Sequence, residues 1–384
     1  MKTVFILACF DVYKGNNAAS ARLKNYARAL VLNEGVQVVF VHLRKPLKKF
    51  ELEELDSNIF RFKEEKHDEL GFGSFVNIFK YLKCLKKESV KYENPIFLFY
   101  PSVSDIIYVL SLLWIFNKKE LYCEVNEVRR FAFDFSNWSL FAKVSAWLFD
   151  HLLCRFNGCI FISRKIQRYY SSKCSNSLVI PIISDLEQCT YDIQYKRNST
   201  IKMVFTGTVS VEKENLKELI LGFSLFLKSG NSAELHFYGH ISKADFNVID
   251  NILYKEKIRE NVFFHDTVKQ KDIAKVLRSA DVLILPRRNT LQNNYGFSTK
   301  LSEYIVSGIP VILTKTGVVC DFFTDNINCI IVEGYDRYAF RDSFFKFLKK
   351  NDVELSAIST EALNTAKKYF DYKLYSRTLN NFLK

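Results

Sequence analysis

The stretch Ala280–Ile312, ADVLILPRRNTLQNNYGFSTKLSEYIVSGIPVI, decides the fold of this chain. It begins with an apolar strand that Pro286 closes, and a loop rich in Asn and Gly follows. A short helix comes next, and either Ser298 or Thr299 is positioned to cap its start. Gly308 ends this helix, and a second apolar strand follows at once. The order strand, loop, helix and strand predicts one βαβ unit of a parallel sheet.

The same stretch predicts a diphosphate site, because a helix that starts directly after a parallel strand presents unpaired backbone N–H groups. Arg287 and Arg288 lie at the end of the strand, where adjacent side chains point to opposite faces, so only one is expected to face a ligand. Lys300 lies in the first turn of the helix. Glu303 follows about one turn deeper, where its carboxylate can accept both hydroxyls of a ribose, or it is an exposed helical residue paired with Lys300.

The segment 298–312 reads S-T-K-L-S-E-Y-x-x-S-G-x-P-V-I and resembles the nucleotide-sugar site of retaining glycosyltransferases of family 4, the group 1 transferases. The resemblance covers most of the chain loosely and Lys202–Glu333 best. It implies the α/β fold called GT-B, in which two Rossmann-like, doubly wound parallel-sheet domains face each other across an interdomain cleft. In that family a Glu at the position of Glu303 holds the donor ribose, and a second Glu eight residues earlier lies near the sugar. Here that earlier position is Tyr295, a departure from the family pattern.

The length of 384 residues fits two domains, and strands alternate with helices on both sides of one polar, aperiodic segment. We therefore expect an N-terminal Rossmann-like domain at 1–182 and a linker at 183–200. A second Rossmann-like domain is expected at 201–365. The resemblance implies that the first domain binds the acceptor, that the second binds the nucleotide sugar, and that a C-terminal helix at 366–384 packs back on the first domain.

Two loops outside this stretch are further candidates for donor binding. Gly207 ends the first strand of the second domain, where the chain must turn toward a ligand, and Lys213 follows six residues later. The resemblance implies that Gly15 and Asn16, in the first loop of the chain, approach the donor from the other domain. The plainer interpretations are a charged turn around Lys213 and an ordinary strand-to-helix loop at Gly15 and Asn16.

Catalysis is expected to rest on charge rather than on a metal. Lys213 and Arg287 are the cations expected to neutralise the leaving diphosphate, together with the helix dipole. Glu127 follows a first-domain strand and is the candidate general base or polar group on the acceptor side, or else a solvated loop carboxylate. The six histidines lack metal-ligand spacing, and the site region has no Asp-x-Asp pair, so no metal and no cofactor are expected.

The formal net charge of +13 indicates that the protein contacts anions. Basic residues of the N-terminal half alternate with Phe and Tyr, which is consistent with a solvated surface or with a patch that contacts an anionic membrane. A recognisable nucleic-acid-binding module is absent from the sequence. Nine scattered cysteines without a C-x-x-C pair favour reduced thiols, and the longest apolar run, Ile106–Phe116, is too short to span a bilayer. We expect a cytoplasmic protein, peripheral at the inner face of the cell membrane.

The functional hypothesis is a retaining glycosyltransferase that moves a sugar from a UDP- or GDP-sugar to a hydroxyl of a glycan or lipid-linked oligosaccharide. Synthesis of bacterial surface polysaccharide, such as capsule, O-antigen or exopolysaccharide, is the expected setting. Two alternatives stay open. A nucleotide-sugar epimerase of the same fold would use the same diphosphate site, and Tyr295 in place of Glu is compatible with a non-catalytic partner subunit.

Overall fold

A computed structural model describes residues 1–15, 17–47, 49–63, 75–102, 104–187 and 195–384 of the chain. These residues form two compact units. The first unit contains Met1–Asp185 together with Asp371–Lys384, and the second contains Leu186–Phe370. Among the residues that the structure describes, no helix has both the length and the apolar character that crossing a membrane requires.

The first unit alternates strands and helices along the chain, as the sequence predicts. Its strands are β1 Lys2–Ala8, β2 Val36–His42, β3 Leu52–Asp56, β4 Ile59–Phe62, β5 Pro95–Tyr100, β6 Leu121–Val125, β7 Gly158–Phe161 and β8 Ser177–Val179. Its helices before residue 186 are α1 Ala18–Val31, α2 Phe75–Ser89, α3 Ile106–Ile115, α4 Leu140–Leu152 and α5 Arg164–Tyr169. The sequence pattern predicts that α2 begins at Ser74, which lies outside the described residues.

These strands form one sheet in the order β3-β4-β2-β1-β5-β6-β7-β8, and every neighbouring pair is parallel except the β3–β4 hairpin. In β1, Val4–Leu7 are fully buried, because helices cover both faces of a parallel sheet and leave no polar face for alternation. The first apolar run of the chain is therefore a core strand. The β3–β4 hairpin was not predicted.

The second unit repeats this construction. Its strands are β9 Ile201–Thr206, β10 Ala233–Tyr238, β11 Val262–His265, β12 Val282–Leu285, β13 Val311–Thr314 and β14 Ile330–Val332. Its helices are α6 Leu216–Lys228, α7 Lys243–Glu256, α8 Gln270–Arg278, α9 Leu291–Tyr295, α10 Lys300–Val306, α11 Val319–Phe322, α12 Arg337–Leu348 and α13 Asp352–Tyr369. A capping box between Asn351 and Glu354 starts the last of these helices.

The second sheet has the strand order β11-β10-β9-β12-β13-β14, all parallel. The chain builds outward from β9 to β11 and then crosses back to add β12 on the other side of β9. In open α/β sheets, ligands bind beyond the carboxyl ends of the strands at such a reversal. The topology therefore makes Gly207, which follows β9, and the residues that follow β12 the candidate binding region of this unit.

The C-terminal segment belongs to the first unit. The backbone N–H of Tyr372 donates to the carbonyl of Ser184 at 3.1 Å, and helix α14, Ser376–Phe382, packs against α1. The segment ends beside β6, where the hydroxyl of Tyr122 donates to the carbonyl of Lys384 at 2.8 Å. The chain thus passes between the units at 185–186 and at 370–371.

Helices α6 and α12 pack closely because Gly222 removes a side chain at their contact. A Cβ on Gly222 would lie 2.6 Å from the Cβ of Phe340 and 2.7 Å from the carbonyl oxygen of Arg337. Backbone atoms cannot move aside as a flexible side chain can, so the two helices would have to separate.

Gly222→Ala is expected to lower the free energy of unfolding of the second unit by about 1–3 kcal/mol, because the added methyl group overpacks this contact. Lys217→Ala on the exposed face of the same helix is the matched control and should change it by less than about 0.5 kcal/mol. Urea unfolding followed by circular dichroism measures both. Equal stability of Gly222→Ala and wild type would contradict the close approach.

Candidate functional site

The turn after β9 allows the Lys300 side chain to approach the backbone of Gly207 closely. Gly207 has a φ of +106°, which side-chain-bearing residues rarely adopt, and a Cβ there would lie 2.4 Å from Cε of Lys300. The Lys300 side chain therefore crosses directly over Gly207, and its Nζ lies 4.3 Å from the centre of the Phe205 ring. The sequence predicted a turn at Gly207 and a cation at Lys300, and the structure brings the two residues into contact.

A buried carboxylate joins two of the predicted cations. The side chain of Glu214 is fully buried, and its Oε1 accepts from Lys300 Nζ at 2.7 Å and from Arg287 Nη1 at 3.0 Å. The side chains of Arg287 and Lys300 are 13% and 19% exposed. The other oxygen of Glu214, Oε2, is buried and has no hydrogen-bond partner among the described residues. We call Glu214, Arg287 and Lys300 the ion cluster; its formal charge is positive, with two cations on one carboxylate.

Backbone contacts hold Glu214 beside the end of β12. Glu214 and Arg287 form an isolated antiparallel bridge, and the N–H of Asn215 donates to the carbonyl of Pro286 at 2.5 Å. The side-chain amide of Asn215 donates to the carbonyl of Tyr335 at 2.6 Å. The loop after β9 is thus fastened to the residues that follow β12, on both sides of the strand-order reversal.

The ion cluster shifts the pKa values of two of its members. Burial raises the pKa of Glu214, but the positive charges of Lys300 and Arg287 outweigh it and hold that pKa below its ordinary value of 4.5. Burial lowers the pKa of Lys300 below its ordinary value, and the charge and hydrogen bond of Glu214 offset this only in part. Lys300 is therefore a desolvated cation whose charge is little screened by water.

The Asn-rich segment that the sequence predicted as a loop contains the short helix α9. The Thr290 side chain accepts from the N–H of Asn293 at 3.2 Å and caps this helix. Asn293 is buried; its amide donates to the carbonyls of Lys213 and Arg288 at 3.1 and 2.9 Å, and its Oδ1 accepts from Arg287. Asn293 therefore orients Arg287. Sequence reasoning missed both Asn293 and Glu214, although the spacing of Thr290 and Asn293 is that of a helix cap.

Helix α10 starts differently from the prediction. Thr299 has helical backbone angles and makes no side-chain capping hydrogen bond, and the backbone carbonyl of Ser298 is what accepts from the N–H of Leu301, at 3.2 Å. The expected side-chain cap is therefore wrong for Thr299. The helix ends as predicted, with Gly308 at a φ of +79°.

Glu303 lies in the first turn of α10 and is partly exposed, and Tyr295 ends α9. The next residue along α10, Tyr304, is fully buried, and its hydroxyl accepts from the backbone N–H of Thr206 at 2.8 Å. This bond fastens α10 to the end of β9. The same contact between Tyr304 and Thr206 fixes the position of the neighbouring Glu303 relative to the end of β9.

The remaining predicted residues are spread over both units. Lys213 is partly buried in the loop after β9, next to Glu214, and Arg288 is exposed, so Arg287 is the arginine of the pair that enters the ion cluster. In the first unit a Cβ on Gly15 would lie 2.1 Å from Oγ of Ser20, so the turn at Gly15 is too closely packed for a side chain. Glu127 is exposed after β6, and Asn16 lies outside the described residues.

Glu124 is the other carboxylate near the end of β6, and it is a structural residue. It is buried and accepts from Arg22 Nε at 2.7 Å and from the Tyr26 hydroxyl at 3.0 Å, so its charge is compensated inside the first unit. Among the described residues there is no group of three or more His, Cys, Asp or Glu side chains that could hold a metal ion.

Comparison with known proteins shows which proteins the chain resembles. The family model for glycosyl transferases group 1 matches residues 191–364, which cover nearly all of the second unit. A D-inositol 3-phosphate glycosyltransferase of Xylanimonas cellulosilytica is 28% identical over 85 residues, which span 22% of this chain and 19% of that protein.

Solved structures match the whole chain in fold. Sucrose-phosphate synthase from Thermosynechococcus elongatus superimposes with a TM-score of 0.73 at 12% identity, covering 99% of this chain and 98% of that one. A trehalose-6-phosphate protein from E. coli bound with UDP-2-fluoro glucose superimposes with a TM-score of 0.69 at 10% identity, covering 100% and 99%. Residues 191–364 thus match the group 1 glycosyltransferases, and the chain has the GT-B fold, as the sequence predicted.

Glu214→Gln is expected to lower the free energy of unfolding of the second unit by about 3 kcal/mol, because it leaves two largely buried cations without a counter-charge. Glu212→Gln, an exposed residue of the same loop, is the matched control and should change it by less than about 0.5 kcal/mol. Urea unfolding at neutral pH measures both variants. A Glu214→Gln protein as stable as Glu212→Gln would argue against the ion cluster.

The contribution of Glu214 should also depend on pH. Its pKa is lower in the folded protein than its ordinary value of 4.5, so its stabilising effect is complete above pH 4.5. This effect is lost as the pH falls through the lowered pKa of the folded state. The stability difference between wild type and Glu214→Gln should therefore be constant above pH 4.5 and shrink below it, in urea unfolding at a series of pH values. A difference that is independent of pH down to 3 would contradict the assignment.

Proposed function

We propose that the protein is a retaining glycosyltransferase that moves a sugar from a UDP- or GDP-sugar to a hydroxyl group of a glycan or lipid-linked oligosaccharide. The observation that carries this proposal is the ion cluster at the strand-order reversal of the second sheet. It concentrates positive charge where open α/β sheets bind their ligands, and the matching family uses nucleotide-sugar donors.

The ion cluster would act on the leaving group. When the bond between the sugar and the diphosphate breaks, negative charge grows on the diphosphate, and cations fixed nearby stabilise that state more than the ground state. Arg287 is held by Glu214 and Asn293, and Lys300 by Glu214, so neither cation must reorganise during the reaction. Lys213, on the same loop, is the further cation of this proposal.

The helix dipole contributes less than the sequence suggested. Helix α10 has seven residues, about two turns, and begins without a side-chain cap. Side-chain cations therefore carry most of the proposed charge stabilisation. Because they neutralise the diphosphate without a metal, we propose a metal-independent reaction, and EDTA should leave donor binding unchanged.

Glu303 is the proposed ribose ligand. It lies in the first turn of α10, whose N-terminal end also supplies Lys300 to the ion cluster. A carboxylate can accept from both hydroxyls of a ribose, which would fix the nucleoside while the cations bind the diphosphate. Gly207, Ser298 and Thr299 would line the same site through their backbones. In the first unit, Gly15, Asn16 and the general base Glu127 remain proposals for the sugar and acceptor side.

A non-catalytic partner subunit is the second candidate function. The observation that favours it is Tyr295, which stands where the family has the glutamate near the sugar. In that case the second unit would bind the nucleotide without turning over the donor. The epimerase alternative has less support, because the family match is to glycosyl transferases. Synthesis of bacterial surface polysaccharide is the proposed setting, at the inner face of the cell membrane.

Glu303→Gln is expected to weaken the binding of UDP or GDP about 10–100-fold, since hydrogen bonds to a charged acceptor contribute about 1.5–3 kcal/mol each. Isothermal titration of wild type with UDP, GDP, ADP and CMP identifies the base first, and the variant is then titrated with the nucleotide that binds. Glu260→Gln, an exposed residue of the same unit, is the matched control and should bind as wild type does.

Three outcomes are informative. Loss of affinity in Glu303→Gln alone supports the ribose role. Equal affinity in both variants would refute that role, and no binding of any nucleotide by the wild type would refute the donor site itself. Hydrolysis of the matching nucleotide sugar, measured as release of the nucleoside diphosphate, separates the two candidate functions. A transferase hydrolyses the donor slowly, whereas a non-catalytic partner subunit does not.

A further inference from the structure

Three consecutive helices of the first unit lie side by side on one face of its sheet. Helix α2 packs against α3, and α3 packs against α4. Right-handed crossovers place them together, because β4 to β5, β5 to β6 and β6 to β7 all advance in the same direction across the sheet. The opposite face holds α1 and α14. We call the outward surface of α2, α3 and α4 the three-helix face.

The three-helix face exposes more apolar side chains than a solvent-facing surface requires. Helix α4 buries Ala146 and Phe149 against the unit, yet its outer side carries a second apolar stripe. That stripe consists of Leu140, Phe141, Val144 and Trp147, of which Leu140 is 78% exposed and Trp147 55% exposed. The solvent-facing side of a surface helix is normally polar. A helix that is apolar on both sides packs against the protein on one side and is adapted to an apolar environment on the other.

Neighbouring helices extend the apolar area. On α3, which has no charged residue, Leu110 and Trp114 are exposed, and Trp114 is 82% accessible to solvent. On α2, Phe75 and Val76 are exposed. Contiguous exposed apolar patches of this kind mark interaction sites in proteins.

The charges on the three-helix face have one sign. Lys80, Lys83 and Lys87 follow one another at helical spacing along the exposed side of α2, and Lys143 is on α4. The only acidic residues of these three fully described helices are largely or fully buried. Glu88 is mostly buried and pairs with Lys91, and Asp150 is buried and pairs with Arg130.

We propose that the three-helix face binds an anionic lipid bilayer, with the α4 stripe and Trp114 in the interfacial region and the lysines of α2 against the headgroups. Exposed Trp, Phe and Leu beside lysines, without a fully exposed acid on the described residues of α2, α3 and α4, are complementary to such a surface in both polarity and charge. The fully exposed charged residues of α2 are all lysines, and lysines match a surface of anionic headgroups. The inference deepens the proposed function, because a lipid-linked acceptor is presented at such a surface, but its test does not require transfer activity.

All three tryptophans of the chain report on this face. Trp114 lies on α3 and Trp147 on α4. Trp138 lies two residues before α4, and its indole N–H donates to Asp134 at 2.9 Å. The full-length protein mixed with vesicles of phosphatidylcholine and phosphatidylglycerol (3:1) should therefore show a blue shift of its fluorescence and quenching by brominated lipid. Vesicles of phosphatidylcholine alone should bind at least tenfold more weakly.

Two variants test the two halves of the proposal. Lys80→Glu/Lys83→Glu/Lys87→Glu should lower the vesicle partition coefficient at least tenfold and remove its salt dependence. Phe141→Ser/Val144→Ser, which keeps every tryptophan, should lower it by a similar factor. Lys243→Glu/Lys255→Glu/Lys275→Glu and Tyr254→Ser, exposed positions of the second unit, are the matched controls and should bind as wild type does.

Circular dichroism of the same samples shows whether each variant is folded, and nucleotide titration separates the two proposals. Vesicle binding lost in the three-helix variants with nucleotide affinity unchanged supports the membrane face. Vesicle binding that is equal in all variants, or absent in the wild type, overturns it. So does a change of molar mass in light scattering when Phe141 and Val144 are replaced, since the face would then be an interface between two copies of the chain.

Discussion

The ion pairs of Glu214 with Lys300 and Arg287 are the interaction on which the candidate site depends. The three residues come from the loop after β9, from α10 and from the end of β12, and Glu214 lies far from the other two in sequence. Because Glu214 is fully buried, its charge requires compensation inside the protein, and the two cations supply it. The geometry of the site is therefore fixed by electrostatics as well as by packing.

Glycine and asparagine make this arrangement sterically possible. Gly207 leaves room for the Lys300 side chain to cross the end of β9, and Asn293 bonds to the loop that carries Glu214 as well as to Arg287. The result is a positively charged surface whose cations are already oriented. In a transferase, such orientation lowers the reorganisation that accompanies departure of a diphosphate.

The first unit also contains a buried ion pair, and there the pair has a structural role. Arg22 pairs with Glu124 and also donates to the carbonyls of Ile180 and Pro181, so a single guanidinium joins α1, β6 and the end of the unit's first segment. Burial raises the pKa of Glu124, and Arg22 and Tyr26 oppose this by binding the charged form. Of the two carboxylates near the end of β6, only Glu127 is accessible to a ligand.

The sequence alone determined the class of fold, because apolar strands alternate with amphipathic helices and the segment 280–312 has the order of a βαβ unit. It also indicated Gly207 and Arg287 at strand ends and Lys300 in the first turn of a helix, positions where glycine and cations suit a phosphate ligand. The tertiary structure decided which charged residues act together. In the run Glu212-Lys213-Glu214 nothing local distinguishes the buried carboxylate from the exposed one, because burial depends on strand order and on cations that are more than seventy residues away. Helix α9 was missed for the same reason: it has five residues and no apolar period, and the hydrogen bonds of Asn293 hold it in place.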